Sequence, residues 1–359
     1  MTRRSLLVKT AAVSLAAQSA RLAGQIRLPD KVRVAILGMD GHTGEILNPL
    51  PMLPDVEITA ICDADPAALD RVARNPRVAQ ARRYADYRQM LDREKLDLVA
   101  ICNNNGERAG AILACAERKL NLIAEKPYAL DLPTLDRVRQ AVEESGVRIG
   151  ILLPMRFDPP YLAVKQIVDS GEIGEVAQIA SQKSYKAGKR PLWMRRKETY
   201  GGTIPWIGIH MIDLMRWTSG REFRSAFSMT SRVGDFPDIG DMENVTASLF
   251  ELDNGGLATL RMDYLRPETA QTHGDDRIRL AGTKGVVEYQ ASTGVTLITG
   301  GKKPVVVQDF PARRSLFTEF LESIYHGKPE PVSRADIYRT HEITLGAQEA
   351  AIQGKLVRF

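Results

Sequence analysis

The sequence predicts a two-domain fold. Residues 30–153 are expected to form an α/β domain with a doubly wound parallel sheet, and residues 154–359 an α+β domain with a large, mainly antiparallel open sheet. In the first part, short apolar runs alternate with segments of helical periodicity. From about residue 174 onward, strand-like segments joined by turns predominate. The length of 359 residues leaves room for two such domains.

The elements of the first domain follow one another regularly. Strands are predicted at residues 32–37, 56–62, 97–102, 121–124 and 147–153, and helices at 66–75, 84–93, 107–119 and 132–145. The strands are largely apolar, as is typical of strands buried on both faces of a parallel sheet. The helices between them supply the crossover connections that such a sheet requires.

The second domain is expected to be built around its sheet. Strands are predicted at residues 176–185, 224–232, 245–251, 257–264, 277–280 and 286–289, and helices at 204–217, 313–326 and 336–353. We expect the last helix to pack back on the first domain. A broad apolar sheet face is rarely left in water, so we also expect a homo-oligomer, a dimer or a tetramer, formed through the open sheet.

A glycine-rich turn follows the first strand and precedes a helix-like segment. Its spacing is G-x-x-G-x-x-G, because Asp40 and Thr43 occupy the second and third glycine positions of the G-x-G-x-x-G pattern. Backbone N–H groups and a helix N-terminus at such a turn can bind a pyrophosphate. The residues predicted to bind a dinucleotide here are Gly38, Asp40, Gly41, His42, Thr43 and Gly44.

Asp63 strengthens the prediction of a dinucleotide site. It ends the second strand, nineteen residues beyond Gly44. A carboxylate at this place can bind both ribose hydroxyls and would repel a 2′-phosphate, so we expect NAD to be preferred over NADP. An ordinary βα turn followed by a surface aspartate is the alternative.

The net charge of +5 comes largely from the first 25 residues. This segment contains Arg3, Arg4, Lys9 and Arg21 and no Asp or Glu, so the rest of the chain is close to neutral. The basic balance therefore gives no indication of nucleic-acid binding. The three cysteines lack the paired spacing of metal sites or disulfide frameworks, so we expect buried free thiols and no metal.

The same 25 residues are predicted to be a signal peptide. Arg3 and Arg4 precede a mild apolar run, residues 10–17, that is too short to span a bilayer. Twin arginines before a weak apolar region resemble a Tat signal, which predicts export of the folded protein by the Tat machinery to the periplasm. An exported enzyme cannot draw on a free NAD pool, so tight cofactor retention is expected. The alternative is an uncleaved basic N-terminal helix on a cytoplasmic protein.

Three separated motifs resemble those of the Gfo/Idh/MocA oxidoreductases, which include glucose-fructose oxidoreductase and inositol dehydrogenase. They are Glu125-Lys126-Pro127, Met155-Arg156-Phe157-Asp158-Pro159, and Gly201-Gly202 followed by Gly208-x-His210-x-x-Asp213. The resemblance covers nearly all of the chain after residue 30. It implies an N-terminal Rossmann domain and a C-terminal α+β domain whose open sheet often forms an oligomer interface.

Lys126 and His210 are the leading catalytic candidates. Oxidation of a carbinol needs a group that removes the hydroxyl proton, and a neutral imidazole such as His210 suits that role. An ammonium at the carboxyl edge of the parallel sheet, where Lys126 is predicted, can polarise the oxygen, and the resemblance implies this role for the lysine. A packed core histidine and a solvated lysine are the alternatives.

The sequence departs from the family pattern at Trp206. Inositol dehydrogenase and similar members usually carry an aspartate at this position, four residues before the histidine. Asp213, three residues after His210 on one helical face, is a candidate substitute partner for the histidine, although in the family it is also commonly structural. Trp206 itself suits stacking on a sugar ring or filling the core.

Further site residues are predicted around these. The cofactor site is expected to include Asn103, Asn105, Glu125 and Lys126, with Asn105 on the nicotinamide side, and the substrate site Arg156, Tyr185, Trp193, Trp206 and His210. The basic loop 183–197 mixes hydrogen-bond donors with aromatic rings, as a carbohydrate pocket does. A solvated lid is the alternative reading of that loop.

Three functions are compatible with these residues. The preferred one is an NAD(P)-dependent oxidoreductase acting on a sugar, polyol or related hydroxy compound. The second is an enzyme in which bound NAD oxidises the substrate transiently, as in the family's NAD-dependent glycosidases, so that an epimerisation or elimination follows and the hydride returns. The third is a ligand-binding or sensor protein without catalysis, which the absent aspartate at position 206 favours and the presence of Lys126 and His210 opposes.

Overall fold

Two separate sheets organise residues 25–359, the part of the chain that the computed structural model describes. Apart from Gln25, the predicted signal peptide lies outside these residues. The predicted fold class is confirmed, because the first sheet is parallel and the second is mostly antiparallel.

The first sheet has six parallel strands in the order β3-β2-β1-β4-β5-β6. The strands are β1 Val32–Leu37, β2 Val56–Cys62, β3 Arg82–Tyr84, β4 Leu98–Ile101, β5 Asn121–Ala124 and β6 Ile149–Ile151. The chain starts in the middle of the sheet, extends it to one edge and then returns to build the other half. This order brings the ends of β1 and β4 together at the point where the direction of winding reverses, which is where such folds bind ligands.

The helices of this domain, except the first, begin after a residue whose side chain caps them. They are α1 Thr43–Leu47, α2 Pro66–Val72, α3 Tyr87–Arg93, α4 Asn105–Glu117 and α5 Leu132–Ser145. Asp65, Asp86, Asn104 and Asp131 each accept a hydrogen bond from a backbone amide of the first turn. The helix predicted at 84–93 starts at Tyr87 for this reason, and the short β3 before it was not predicted.

The second sheet has nine strands in the order β14-β13-β12-β11-β7-β10-β9-β8-β15. The strands are β7 Val176–Lys186, β8 Phe223–Ser231, β9 Val245–Leu252, β10 Leu257–Arg266, β11 Gly274–Gly282, β12 Gly285–Gln290, β13 Gly294–Thr299, β14 Val305–Val306 and β15 Val357–Arg358. Only the central pair β7 and β10 is parallel. Side chains alternate between a buried and an exposed face, so this sheet packs helices on one side only.

The remaining helices cover that buried face or connect the domains. They are α6 Pro159–Asp169, α7 Lys197–Tyr200, α8 Ile209–Ser219, α9 Leu316–Tyr325 and α10 Arg334–Gln353. The sequence prediction missed α6, because the pair Pro159-Pro160 that opens it is also typical of a turn. Strands β13, β14 and β15 were missed as well, and two of these contain only two residues.

One predicted helix proved to be composite. The segment predicted as a helix over 204–217 is a π-helical turn, Ile204–Gly208, followed by α8. Single π-helical turns are rare and often mark functional sites. Because of this turn, the relative orientation of Trp206 and His210 differs from the one that a regular α-helix would give them.

The last helix joins the two domains. Tyr128, which follows β5, donates its backbone N–H to Nε2 of His341 in α10 at 2.8 Å. The same helix packs against α5 of the first domain and β8 of the second. Within residues 25–359, no helix is long and apolar enough to cross a membrane.

Candidate active site

Two of the three glycines in the turn after β1 are required by close packing. Gly38 has φ of +78°, and a Cβ there would lie 2.3 Å from backbone atoms of Asn103. A Cβ on Gly41 would lie 2.4 Å from Cγ of Glu125. A Cβ on Gly44 would meet only the side-chain nitrogen of Asn48, at 3.4 Å. Glycine at positions 38 and 41 is therefore required by the residues that follow β4 and β5, which the turn closely approaches.

Several amides of this turn are already bonded within the protein. The N–H of Met39 donates to Asp63, that of Asp40 to the carbonyl of Cys102, and that of His42 to Glu125. The amides of Gly41 and Gly44 are the remaining candidate donors to a pyrophosphate. The predicted phosphate contacts at Asp40, His42 and Thr43 stay predictions.

A cavity of about 470 Å³ opens beside the turn. Its lining includes Gly38, Asp40, Asp63, Asn103, Leu192 and Trp193. The first four come from the ends of β1, β2 and β4, and the last two from the second domain. The cavity thus lies at the switch point of the parallel sheet, with the basic loop as its far wall.

Asp63 is held in place at the rim of this cavity. One carboxylate oxygen accepts the N–H of Met39 and the other accepts the N–H of Asp65, both at 2.8 Å. Each carboxylate oxygen has a second lone pair available for a ligand hydroxyl. The carboxylate is therefore fixed in position where it can also receive a ribose hydroxyl.

Of the two asparagines predicted for the cofactor, Asn103 is the one with unused polar atoms. Its amide nitrogen and oxygen are both buried and have no partner in residues 25–359. Asn105, in contrast, donates to the carbonyl of Tyr200 at 2.8 Å and accepts from Arg108 at 2.9 Å. Because buried polar atoms in proteins are normally paired, Asn103 fits a ligand amide, and Asn105 instead links the two domains.

Glu125 and Lys126 lie buried at the end of β5. The carboxylate of Glu125 contacts the N–H and Nδ1 of His42 and accepts the N–H of Lys126 at 3.0 Å. Burial alone would raise its pKa, but His42, Lys126 and Arg108 hold the pKa of Glu125 at about 2. Burial lowers the pKa of Lys126 to about 7; Glu125 opposes this shift, and Arg108 and Lys183 add to it.

The ammonium of Lys126 reaches the second domain at Trp206. Its Nζ donates to the carbonyl of Trp206 at 2.7 Å and lies 3.4 Å from the centroid of the Trp206 ring. The Trp206 ring in turn packs edge-on against Trp193, with centroids 5.3 Å apart. Trp206 therefore holds Lys126 through a cation–π contact at the position where the family pattern has a carboxylate.

His210 is the second residue of α8, just after the π-helical turn. It is buried, and its Nδ1 has no hydrogen-bond partner in the described residues. Burial, together with the charges of Lys126, Lys183 and His42, holds the pKa of His210 well below its ordinary range. The imidazole is therefore neutral at physiological pH and able to accept a proton.

Asp213, the candidate partner for His210, is bonded to Arg156 instead. Both carboxylate oxygens of Asp213 accept hydrogen bonds from Arg156, at 2.6 and 2.7 Å, and both side chains are almost fully buried. Arg156 also contacts Asp336 of α10 at 3.4 Å. Arg156 and Asp213, predicted separately for substrate binding and for catalysis, thus form a buried ion pair that joins the second motif to α8.

Tyr185 lies in a polar cluster within the second sheet. It is part of β7, as is Lys183, so neither belongs to the loop in which they were expected. Nζ of Lys183 donates to Asp276 of β11 at 2.8 Å, and the hydroxyl of Tyr185 donates to the same oxygen at 3.4 Å. The other oxygen of Asp276 is buried without a partner among residues 25–359. Tyr185 packs against Tyr264, whose hydroxyl lies 3.3 Å from that of Tyr200, and the Tyr200 ring packs against Trp206. This cluster therefore borders the same site.

Comparisons with known proteins agree with this architecture. The family described as "Oxidoreductase family, NAD-binding Rossmann fold" matches residues 32–152, and the "GFO/IDH/MocA C-terminal domain" matches residues 161–288. The solved structure of an oxidoreductase from Thermotoga maritima is 31% identical, covers 91% of this chain and 100% of its own, and superposes with a TM-score of 0.86. The chain belongs to the GFO/IDH/MocA family of oxidoreductases.

Characterised members of the GFO/IDH/MocA family are more distant relatives. Myo-inositol 2-dehydrogenase of Thermotoga maritima is 26% identical over 319 residues, which span 85% of this chain and 92% of that protein. The scyllo-inositol 2-dehydrogenase (NAD(+)) of Bacillus subtilis is 24% identical over 345 residues, 92% of this chain and 96% of that protein. This GFO/IDH/MocA chain thus matches such enzymes over most of their length.

Sequence reasoning missed Arg108 in this GFO/IDH/MocA site. The guanidinium is buried within α4 and donates to the carbonyls of Asn103, Lys126 and Pro127. It thereby ties the turn after β4 to the turn after β5. A single arginine within an otherwise apolar helical stretch was the available signal. Asp276 was also missed, because its partner Lys183 is distant in sequence and no local pattern links them.

Proposed function

We propose that this protein is an NAD-dependent dehydrogenase that transfers a hydride between the nicotinamide and a carbinol carbon of a sugar, polyol or related compound. The observation that carries the proposal is the position of Lys126. It follows strand β5 of the dinucleotide domain, yet its ammonium bonds to the π-helical turn that leads directly into His210. A polarising cation and a neutral imidazole thus meet between the two domains.

The residues of the cleft fit a dinucleotide. Asn103 offers an unused buried amide, Gly38 leaves the space that a Cβ would fill, and Asp63 is fixed at the rim of the cavity. When bound there, NAD would supply the hydride acceptor. We assign the preference for NAD over NADP to Asp63, whose charge would repel a 2′-phosphate. The same fit supports tight retention of the cofactor.

Residues of the chain accept the hydroxyl proton of the substrate and stabilise its oxygen. His210 accepts the hydroxyl proton, for which its low pKa and unpaired Nδ1 leave it free. The ammonium of Lys126 donates to the substrate oxygen and stabilises the negative charge that develops there. The edge-on contact of Trp206 with Trp193 would limit the access of water on that side.

The substrate class is inferred from the polar cluster and from the relatives. Asp276, Lys183 and Tyr185 present hydrogen-bonding groups of the kind that recognise several hydroxyls. The relatives named above act, by their names, on inositols. We infer a polyhydroxylated substrate.

A screen for reduced nicotinamide tests this function. The full chain is mixed with NAD and, separately, with myo-inositol, scyllo-inositol, D-glucose and other polyols, and the absorbance of NADH is followed. We expect at least one polyol to reduce NAD, and Lys126→Met and His210→Asn to lose this activity while still binding NAD. Product formation without net NADH would instead indicate transient oxidation, and binding without either would indicate a sensor.

We propose a homo-oligomer formed through the outer face of the second sheet. A cavity of about 510 Å³ lies on this face, away from Lys126 and His210, so we assign it to an interface and not to catalysis. Phe227, Met229, Leu249 and Leu257 are exposed on it. Light scattering at micromolar concentration should give a dimer or tetramer, and Leu249→Glu should shift it toward the monomer; a monomeric wild type would contradict this.

We also propose export through a Tat-like signal. The support is the pair Arg3-Arg4 and the weak apolar run that follows it. Cell fractionation should place the protein in the periplasm, and replacing both arginines by lysine should retain it in the cytoplasm. A cytoplasmic wild type would contradict export.

A further inference from the structure

His42 connects a completely buried carboxylate to solvent. The side chain of Glu125 is 0% exposed, whereas that of His42 is 37% exposed. Nδ1 and the backbone N–H of His42 both contact the same oxygen of Glu125. The pair therefore forms a hydrogen-bonded connection from the protein interior to solvent.

The ring of His42 also lies against the ring of His210. Their centroids are 5.6 Å apart and the ring planes meet at 82°, in an edge-to-face arrangement. In the described residues no carboxylate is bonded to His210, because Trp206 replaces the usual aspartate and Asp213 is bound by Arg156. The nearest imidazole–carboxylate pair is His42 with Glu125.

We propose that His42, held by Glu125, is a proton-relay residue for His210 in place of the carboxylate that the chain lacks. The inference rests on the proposed alcohol oxidation. In that reaction NAD held in the cleft would accept the hydride released when the carbinol C–H bond breaks, while the O–H bond would break and its proton pass to His210. The proton then moves to His42 and from there to water, and His210 returns to its neutral form.

The charges around the two rings favour this direction of transfer. His210 faces the cations Lys126 and Lys183, which disfavour a proton on it. His42 faces the carboxylate of Glu125, and the side chain of Glu45 also lies near it. Because like charge destabilises an imidazolium, the cations around His210 favour movement of the proton away from it, toward the ring whose Nδ1 contacts Glu125.

A purely structural role for His42 is the competing explanation. In that case its ring would only satisfy the buried carboxylate of Glu125, since an unpaired buried carboxylate is costly. His42→Asn separates the two roles, because the amide can still donate to Glu125 but cannot carry a proton. His42→Gln is a second variant with a longer reach, in case the first does not fold.

Nitrogen-15 NMR of the histidine rings tests the coupling without any substrate. The chain has five histidines, so the ring signals of His42 and His210 can be assigned by substitution. We expect the ring shifts of His210 to follow the protonation of His42, and the midpoint of His210 to move to higher pH in His42→Asn. Ring shifts of His210 that change neither during the titration of His42 nor in His42→Asn would overturn the inference.

Kinetics with NAD and the polyol that the screen identifies complete the test. At saturating NAD and polyol, we expect His42→Asn to lower kcat by about tenfold or more, and added imidazole to restore part of the rate. An unchanged kcat, or a loss of kcat at saturation that imidazole does not restore, would overturn the relay alone while wild-type turnover stands. Absence of wild-type turnover with every polyol would overturn the proposed function, and the relay with it.

Discussion

The ammonium of Lys126 lies 3.4 Å from the centroid of the Trp206 ring and donates to the carbonyl of the same residue at 2.7 Å. An aromatic ring stabilises a cation less than a carboxylate does when both are desolvated. Burial lowers the pKa of Lys126 to about 7, and Glu125 opposes this shift. Where the family pattern has a carboxylate, Lys126 thus contacts only the ring and carbonyl of Trp206, and we expect its charge state to change near neutral pH.

The first prediction concerns the pH dependence of oxidation. The polarising form of Lys126 is the ammonium, which loses its proton as pH rises through about 7, so kcat/KM should decline above that pH. Trp206→Asp places a carboxylate beside the ammonium, favours the charged form and raises its pKa. The decline should then move to higher pH in a kcat/KM profile.

Trp206→Phe is the matched control for this prediction. It keeps an aromatic face and the backbone carbonyl but adds no charge, so the decline should stay near the wild-type pH. An equal displacement of the pH of decline in both variants would show that loss of the indole, and not the new charge, changes the pKa of Lys126.

The second prediction compares two glycines of the same turn. Neither Gly41 nor Gly44 has a positive φ, so the two differ in the space available for a Cβ. Gly41→Ala would force Cβ to 2.4 Å from Glu125 and should destabilise the protein by about 1–3 kcal/mol, while also weakening NAD binding. Gly44→Ala should have little effect on either. Thermal unfolding and NAD titration of both variants check this, and equal effects would contradict it.

The third prediction concerns cofactor choice. Asp63→Ala removes the charge that would repel a 2′-phosphate and the acceptor for the ribose hydroxyls, so Kd should rise for NAD and fall for NADP. Asp70→Asn is the control, because Asp70 is exposed and paired with Arg83 outside the cleft. Fluorescence titrations with both dinucleotides provide the measurement. Unchanged preference in Asp63→Ala would remove Asp63 from the cofactor site.

The fourth prediction concerns the buried pair of Arg156 and Asp213. Arg156→Met leaves the carboxylate of Asp213 unpaired in the interior and should lower the free energy of unfolding by about 3–5 kcal/mol. The double variant with Asp213→Leu should recover a large part of this loss. Arg83→Met, at the exposed pair with Asp70, should cost less than about 1 kcal/mol. Denaturant unfolding of Arg156→Met, the double variant and Arg83→Met provides the comparison. A mild effect of Arg156→Met would contradict a structural role of its pair with Asp213.

The fold was predictable because its signals are local. The apolar runs that became β1, β2, β4 and β5 are short, continuous and separated by amphipathic helices, so type and order follow from periodicity. Strands such as β14, with two residues, carry no such signal. The helix α6 was hidden because prolines open both turns and helices.

The site was predictable only in part, because side-chain partners depend on long-range packing. The three motifs indicated Lys126 and His210, and the structure brings both to the boundary of the domains. They could not show that Asp213 bonds to Arg156, 57 positions earlier in the chain. Nor could they show that Asn105 binds the backbone of Tyr200 and leaves Asn103 with the unused amide, since both asparagines follow the same strand.

The most direct test of the account is the nucleotide content of the protein. The full chain is purified without added nucleotide and denatured, and NAD, NADH, NADP and NADPH in the supernatant are separated by chromatography and quantified per chain. We predict near-stoichiometric NAD and NADH, with little NADP or NADPH. A protein that is empty and that also fails to bind added NAD or NADP would contradict the central claim that this cleft, with Lys126 and His210 at its end, carries out dinucleotide-dependent oxidation.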